Sequence, residues 1–332
     1  MPEKKNRLFE RHGGYSTPTG AIASQRHDLE LSNIKLLGDE SPRFVPTSTK
    51  LIKPNFTDTN PETSLFIGDC REVLPKIPEQ NSVDLIFADP PFNWDVPYDG
   101  WKDGMPREEY ERFTFDWLDG CIDLLSPTGA LWVNIPDDTV AEVVMHLKRR
   151  GLTMINWCVW HFRFGQCRSG SFIMSKVHAL YFVKDPDNRT WNSDAILEQS
   201  DRASIYKDQR TLNKENNKGM RVPMDVWYGK YWGRIQGNNK ERRHGHHNQI
   251  PEVYLERVVL ACSNKGDLVL DPFAGSGTTS TVARTHDRRS ICVEYSEHNA
   301  KSAWNRITNI GMVRKNCSVG QSSAIFQGRK ST

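Results

Sequence analysis

The sequence lacks any apolar run approaching the roughly 18 residues that mark a membrane span, and no secretory-type hydrophobic segment follows its start. Membrane-embedded and exported classes are therefore not expected, and an intracellular, cytoplasmic protein is. It also lacks any C-x-x-C pair. Its seven cysteines, Cys70, Cys121, Cys158, Cys167, Cys262, Cys292 and Cys317, are scattered and odd in number. That pattern implies neither a disulfide framework nor a zinc site. His244, His246 and His247 stand close together, but no cysteine or acid lies at matching ligand spacing, so no metal is expected. A large net charge is missing too, at +3, but the balance is uneven. Lys148 to Arg243 holds 19 basic and 9 acidic side chains, while the remainder carries a balance of −7. A basic block inside an acidic chain points to a polyanionic partner.

Residues 1–60 are polar and rich in Lys, Ser, Thr and Pro, with Arg26 to Asp39 able to form one short helix. A mobile extension or an arm on the main domain is expected there. Strand-length apolar runs then alternate with helical periodicity. Leu65–Ile67, Val83–Phe87, Ala130–Asn134, Met154–Trp160 and Ala179–Val183 read as strands. Val73, Leu74 and Ile77 mark a short helix. Tyr110, Phe113, Trp117, Cys121 and Leu124 mark a longer one, ended by Pro127-Thr128-Gly129. From 185 to 246 the pattern dissolves into Asn, Lys, Arg, Trp and Tyr, as an insertion would. It returns with Pro251 at the first position of a helix, a strand Leu268–Leu270, a further helix, and a strand Ser290–Val293. Alternating strands and helices predict an α/β fold with a mostly parallel, twisted sheet covered by helices on both faces.

Four of these apolar runs end in an acid: Asp69, Asp89, Asp271 and Glu294. In a parallel sheet all four lie along the carboxyl edge, where α/β proteins bind ligands. Asp89-Pro90-Pro91-Phe92 ends its strand abruptly, since proline cannot donate to a ladder. It places a carboxylate, stiff carbonyls and an aromatic face together, a set suited to gripping a planar base by its amino group. Asp271-Pro272-Phe273-Ala274-Gly275-Ser276-Gly277 lets backbone approach a ligand closely. Glu294 follows Gly275 by 19 residues, near the spacing at which an acid takes ribose hydroxyls. The third glycine of a dinucleotide loop is missing, because Ser280 stands there. An adenosine-containing ligand without a diphosphate is indicated.

Gly266 to Thr279, Gly-Asp-Leu-Val-Leu-Asp-Pro-Phe-Ala-Gly-Ser-Gly-Thr-Thr, resembles the S-adenosylmethionine-binding motif of amino-group DNA methyltransferases. Asp89-Pro90-Pro91-Phe92 resembles their catalytic (D/N/S)-P-P-(Y/F/W) tetrapeptide. His247 to Arg257 is similar to the H-x-x-Q-K-P-x-x-L-x-x-R block ahead of the cofactor motif, departing at Asn248 and Ile250. Gly68-Asp69-Cys70 matches the segment ahead of the catalytic strand. The order of catalytic motif, basic insertion and cofactor motif resembles the permuted β group, over about residues 62–310.

The resemblance implies a Rossmann-like, circularly permuted S-adenosylmethionine-dependent methyltransferase fold. Its expected divisions are a polar extension (1–60), a catalytic half (61–184), a target-recognition insertion (185–246, with a start near 161 as a variant), a cofactor half (247–310) and a polar tail (311–332). It implies that Asp271, Phe273, Gly275, Gly277 and Thr278 line the cofactor site and that Glu294 holds the ribose. Asp69 and Cys70 fall at the adenine end, and Gln249 and Pro251 near the methionine end. Asp89 and the Pro90 carbonyl accept from the exocyclic amine, with Pro91 completing the turn, and Phe92 stacks on the flipped base. Expected partners are double-stranded DNA, a second copy of the chain, and a cognate restriction endonuclease. Arg163, Arg168, Lys207, Arg210, Arg221, Arg234, Arg242 and Arg243 are the leading candidates to contact DNA, within a wider basic set that includes Lys176 and Lys230. Trp227, Tyr228, Tyr231 and Trp232 read either as a stacking cluster or as a small local core. Asp rather than Ser in the tetrapeptide favours adenine N6 over cytosine N4. RNA methylation and an inactive nucleic-acid-binding module are the remaining alternatives.

Overall fold

A computed structural model describes residues 44–309 apart from 49, 167–168, 230–231, 234, 236–240 and 244–247, and for 163–166 the backbone alone. The expected helix over Arg26–Asp39 and the tail beyond 310 lie outside the described residues. So do Arg168, Lys230, Tyr231, Arg234, the three clustered histidines, and the side chain of Arg163.

The described elements open with a hairpin of β1 (Phe56–Thr59) and β2 (Glu62–Ile67), then a short α1 (Cys70–Val73) and β3 (Val83–Ala88). Next come α2 (Arg107–Leu124), β4 (Leu125–Ile135), α3 (Val140–Arg149), β5 (Thr153–Gln166) and β6 (Met174–Val183). Small pieces follow: β7 (Glu198–Gln199), α4 (Asp201–Ser204), α5 (Gln209–Leu212), β8 (Met220–Arg221) and β9 (Val226–Trp227). The last part contains α6 (Glu252–Cys262), β10 (Leu268–Asp271), α7 (Thr278–Thr285), β11 (Arg289–Glu294) and α8 (Glu297–Thr308).

Among the described residues, nine strands form one sheet in the order β1-β2-β11-β10-β3-β4-β6-β5-β9. The run from β2 to β4 is parallel. Strands β6 and β5 form an antiparallel hairpin beyond it, and β9 adds to β5 in parallel. The α/β class with a mainly parallel sheet is therefore the one the periodicity predicts. The central strands read as unbroken apolar runs because both faces are covered. Ile86, Leu131, Val133 and Leu270 face a core shared with α2 and α3. Their neighbours Leu85, Phe87, Trp132 and Val269 face the opposite core, shared with α6 and α7. This is the two-residue alternation of a strand.

Three local expectations change. The helix expected through Ile77 shortens to α1 plus a 3-10 turn, Leu74–Lys76, because Pro75 has no N–H to continue an α-helix. Pro127-Thr128-Gly129 does not separate α2 from a strand at Ala130. Strand β4 starts at Leu125, and these residues form an irregularity between the Val83–Leu125 and Leu85–Ala130 pairs, where proline cannot join the ladder. Pro251 is the N-cap of α6 rather than its first helical residue.

Candidate active site

Strands β2, β11, β10 and β3 are neighbours and run in the same direction, so Asp69, Glu294, Asp271 and Asp89 come to one edge. That edge borders a cavity of about 380 Å³. Residues 89–92 line it together with Asp271, Phe273, Gly275, Thr278 and Glu294, and Asp69, Cys70 and Gln249 reach it from flanking segments. Pro251 and Gly277 are not on the lining. Gly277 instead holds a left-handed φ of 74° against α8, where a Cβ would come within 3.1 Å of the Ala303 side chain. The left-handed backbone and this close approach to α8 together favour glycine here.

The cofactor-motif acids accept from backbone, with the Thr279 side chain also bonded to Asp271 and the Asn299 side chain to Glu294. Gly275 N donates to Glu294 Oε2 (2.8 Å) and Ser296 N to Oε1 (3.0 Å). Burial nonetheless pushes the Glu294 carboxyl up from its ordinary value. Phe273 N donates to Asp271 Oδ1 (2.9 Å), and burial pushes Asp271 up to about 7, with Asp89 and Glu294 adding to the rise. Arg306, from α8, staples the same loop. Its guanidinium donates to Ser276 O (3.1 Å) and Thr278 Oγ1 (2.8 Å), and also to Glu252 (2.7 Å).

The Asp89 tetrapeptide is held by side chains. Asn134 Nδ2 donates to Asp89 Oδ1 at 3.0 Å, and the Tyr110 hydroxyl donates to the Pro91 carbonyl at 2.7 Å. Phe92 meets Trp94 edge-on at 5.2 Å. The loop that follows is clamped by Asn93, which donates to Met105 O (2.8 Å) and accepts from Met105 N (2.5 Å). Tyr98, Asp99 and Trp101 of this loop line the cavity, and Asp99 pairs with Ser296 Oγ. The sequence marks this loop only by its Gly/Pro punctuation and its place after Phe92.

Some predicted site residues have other commitments. Asp69 caps α1 at Arg71 N (2.9 Å) and pairs with the Arg71 guanidinium (2.7 Å). Gln249 is buried, donating to Glu241 O (2.7 Å) and accepting from Arg243 N (2.9 Å). Cys70 is buried, and burial pushes its thiol well up, which makes it a wall rather than a nucleophile. Of the basic candidates, Arg210 is 92% exposed, and Lys207 and Arg242 are exposed. Arg221 instead pairs with Glu198 (3.2 Å) and Asp201 (3.1 Å), Arg243 is half-buried, and Lys176 pairs with Asp137. Trp227 is buried at 5.0 Å from Tyr254, and Trp232 packs beside it with the Arg257 guanidinium over its ring, so this part of the aromatic cluster is core. Tyr228 is exposed.

Residues 83–305 match the family model described as DNA methylase, for N6/N4 methyltransferases. The Type II methyltransferase M.BamHI of Bacillus amyloliquefaciens is 35% identical over 83% of this chain, which spans 65% of that relative's length. The DNA adenine methyltransferase YhdJ of Escherichia coli (strain K12) is 32% identical over 75% of this chain and 83% of its own length. Among solved structures, the cytosine-N4-specific PvuII DNA methyltransferase aligns with a TM-score of 0.55 at 15% identity, covering 76% of this chain and 92% of that one. The M1.HpyAVI–SAM complex aligns at 0.50 and 19%, covering 74% and 98%. These two show a common fold, that of S-adenosylmethionine-dependent DNA methyltransferases. With its two motifs on one sheet edge and the family model matched from the catalytic strand to the last helix, the chain belongs to the N6/N4 DNA methylase family.

Proposed function

We propose that the protein transfers a methyl group from S-adenosylmethionine to the exocyclic N6 amine of an adenine flipped out of double-stranded DNA. One observation carries this reading: the Asp89–Phe92 tetrapeptide and the Asp271–Thr278 loop with Glu294 line a single cavity. The lining also fits a cationic nucleoside. Asp271 and Glu294 are buried carboxyls raised by desolvation, a state that a nearby positive charge relieves. Gly275, at φ 49°, adopts the left-handed backbone that glycine allows, so the loop brings main chain, not a side chain, to the cavity wall.

When bound, S-adenosylmethionine supplies an electrophilic methyl on a positively charged sulfur. Glu294 accepts from the ribose hydroxyls, and Asp271 and Phe273 bound the methionine side. Asp89 and the Pro90 carbonyl accept from the two amine hydrogens, which favours a tetrahedral nitrogen whose lone pair points at the methyl. As the amine nitrogen took the methyl from sulfur, Asp89 would accept the surplus amine proton. Alignment and fixed acceptors lower the barrier, with no covalent enzyme intermediate. Phe92, on the cavity wall, offers a face to the extruded base and offsets part of its unstacking cost.

The division of labour follows the same reading: catalytic half 61–184, recognition insertion 185–246, cofactor half 247–310. Lys207, Arg210 and Arg242 are exposed cations able to take phosphates. A homodimer and a restriction partner belong to this proposal as well. YhdJ, a DNA adenine methyltransferase by name, supports the choice of base. To test it, the protein is incubated with amplified, modification-free genomic DNA and methyl-labelled S-adenosylmethionine, and the DNA is digested to nucleosides. Label in N6-methyl-2′-deoxyadenosine supports the proposal. Label in N4-methyl-2′-deoxycytidine would overturn the choice of base and keep the cavity reading, and label in no nucleoside would overturn both.

A further inference from the structure

We propose that Tyr254 and Asn134 form a buried relay that positions the Asp89 carboxylate, making them positioning residues for methyl transfer. This rests on Asp89 being the amine acceptor. The Tyr254 hydroxyl donates to Asn134 Oδ1 at 2.6 Å, and Asn134 Nδ2 donates to Asp89 Oδ1 at 3.0 Å. Both relay residues are 0% exposed. Three elements meet here. Asp89 follows β3, Asn134 lies near the end of β4, and Tyr254 is in α6, 120 residues further on.

The chemistry gives the chain of bonds a direction. Burial raises the Tyr254 phenol well above its ordinary value, so it stays a donor. An ionised carboxylate only accepts. Between a donor and an acceptor, the amide is satisfied in one orientation, with oxygen toward Tyr254 and nitrogen toward Asp89; the flipped amide would oppose its nitrogen to a donor and its oxygen to a carboxylate. Rotation of the Asp89 side chain would therefore break a bond whose partner cannot turn to follow it. The Tyr254 ring is itself fixed, with edge contacts to Phe87 (5.7 Å), Trp160 (5.4 Å) and Trp227 (5.0 Å). A buried phenol and amide are costly unless bonded, and here the bonds end on the carboxylate that faces the target. An acceptor held in one rotamer needs no reorganisation as the amine becomes tetrahedral.

Tyr254→Phe removes one oxygen and keeps the ring packing. It should lower kcat about tenfold, the worth of roughly one hydrogen bond, while leaving the Kd for S-adenosylmethionine near wild type and lowering the melting temperature by a few degrees, because Asn134 Oδ1 loses its donor. Asn134→Ala should lower kcat at least as much. The double variant should be no worse than Asn134→Ala alone, because both substitutions break one chain. A merely structural role would lower stability while the folded variants kept the wild-type kcat, or the two kcat losses would add. Activity is read with methyl-labelled S-adenosylmethionine on amplified genomic DNA, beside Asp89→Ala. If Asp89→Ala is inactive but Tyr254→Phe keeps the wild-type kcat, or if the two losses are additive, the relay is overturned and the Asp89 reading stands. If Asp89→Ala stays active, the Asp89 reading falls and the relay falls with it.

Discussion

The acids at the two sides of the cavity draw on donors at different distances along the chain. Glu294 and Asp271 accept from the backbone N–H groups of Gly275, Ser296 and Phe273, all within 19 residues of the acid they serve. Asp89 is held by the side chain of Asn134, 45 residues away, itself oriented by Tyr254. Backbone donors are placed by a turn and survive side-chain substitution. Side-chain donors depend on distant packing and are lost with one atom. The cofactor side should therefore yield gradually to mutation, and the Asp89 side abruptly.

The largest expected effect is on the Asp89 side. Asp89→Ala should reduce methyl transfer by about 10³-fold or more, as loss of a reaction-centre acceptor does, with cofactor affinity measured by calorimetry little changed. Persistence of near-wild-type methylation would remove Asp89 from the chemistry. Next is Arg306→Ala, which leaves the buried Ser276–Thr278 loop without its staple and should cost about 3 kcal/mol in denaturant unfolding. Glu294→Ala should weaken S-adenosylmethionine binding about 30-fold, or about 2 kcal/mol. An unchanged dissociation constant would take Glu294 out of the cofactor site.

Asp271 allows a pH test of the buried side. Its folded pKa is raised to about 7 from 3.8, so its contribution to stability is fully present below about pH 4 and is lost as pH rises through about 7. Ligand-free Asp271→Asn, which cannot ionise, should gain about 2 kcal/mol or more over wild type at pH 8 relative to its difference from wild type at pH 4. The same difference between the two proteins at pH 4 and pH 8 would contradict the buried-acid account. The smallest effect lies far from either acid. Arg210 is 92% exposed and only loosely paired with Asp208 (3.5 Å), so Arg210→Ala should weaken DNA binding a few-fold and reduce the salt slope by about 0.9, whereas Arg221→Ala, at a more buried arginine held by both Glu198 and Asp201, should leave that slope unchanged.

The contrast also explains what could be read from the residues in order. The strand ends at Asp89, Asp271 and Glu294 were legible because an acid or a proline stops an apolar run, and parallel strands bring such stops to one edge. Tyr110, Phe113 and Trp117 marked α2 by their spacing alone. Pro127 misled because a proline that breaks a ladder can sit within a strand as an irregularity. Gly277 belonged to a ligand motif on paper but packs against Ala303. Arg221 and Lys176 looked like free cations because their acidic partners, at Glu198, Asp201 and Asp137, are 20 to 39 residues away.

By itself the sequence determined the α/β class, the acid-ended strands and the two motifs, because these depend on short-range periodicity and on residues that terminate strands. The tertiary structure decided which groups hold them. Asn134 and Tyr254 meet Asp89 only after β4 pairs beside β3 and α6 packs across Phe87. Hydrogen bonds between side chains far apart in the chain have no local period, so only the packed sheet shows that Asp89 is joined through Asn134 to a tyrosine of α6.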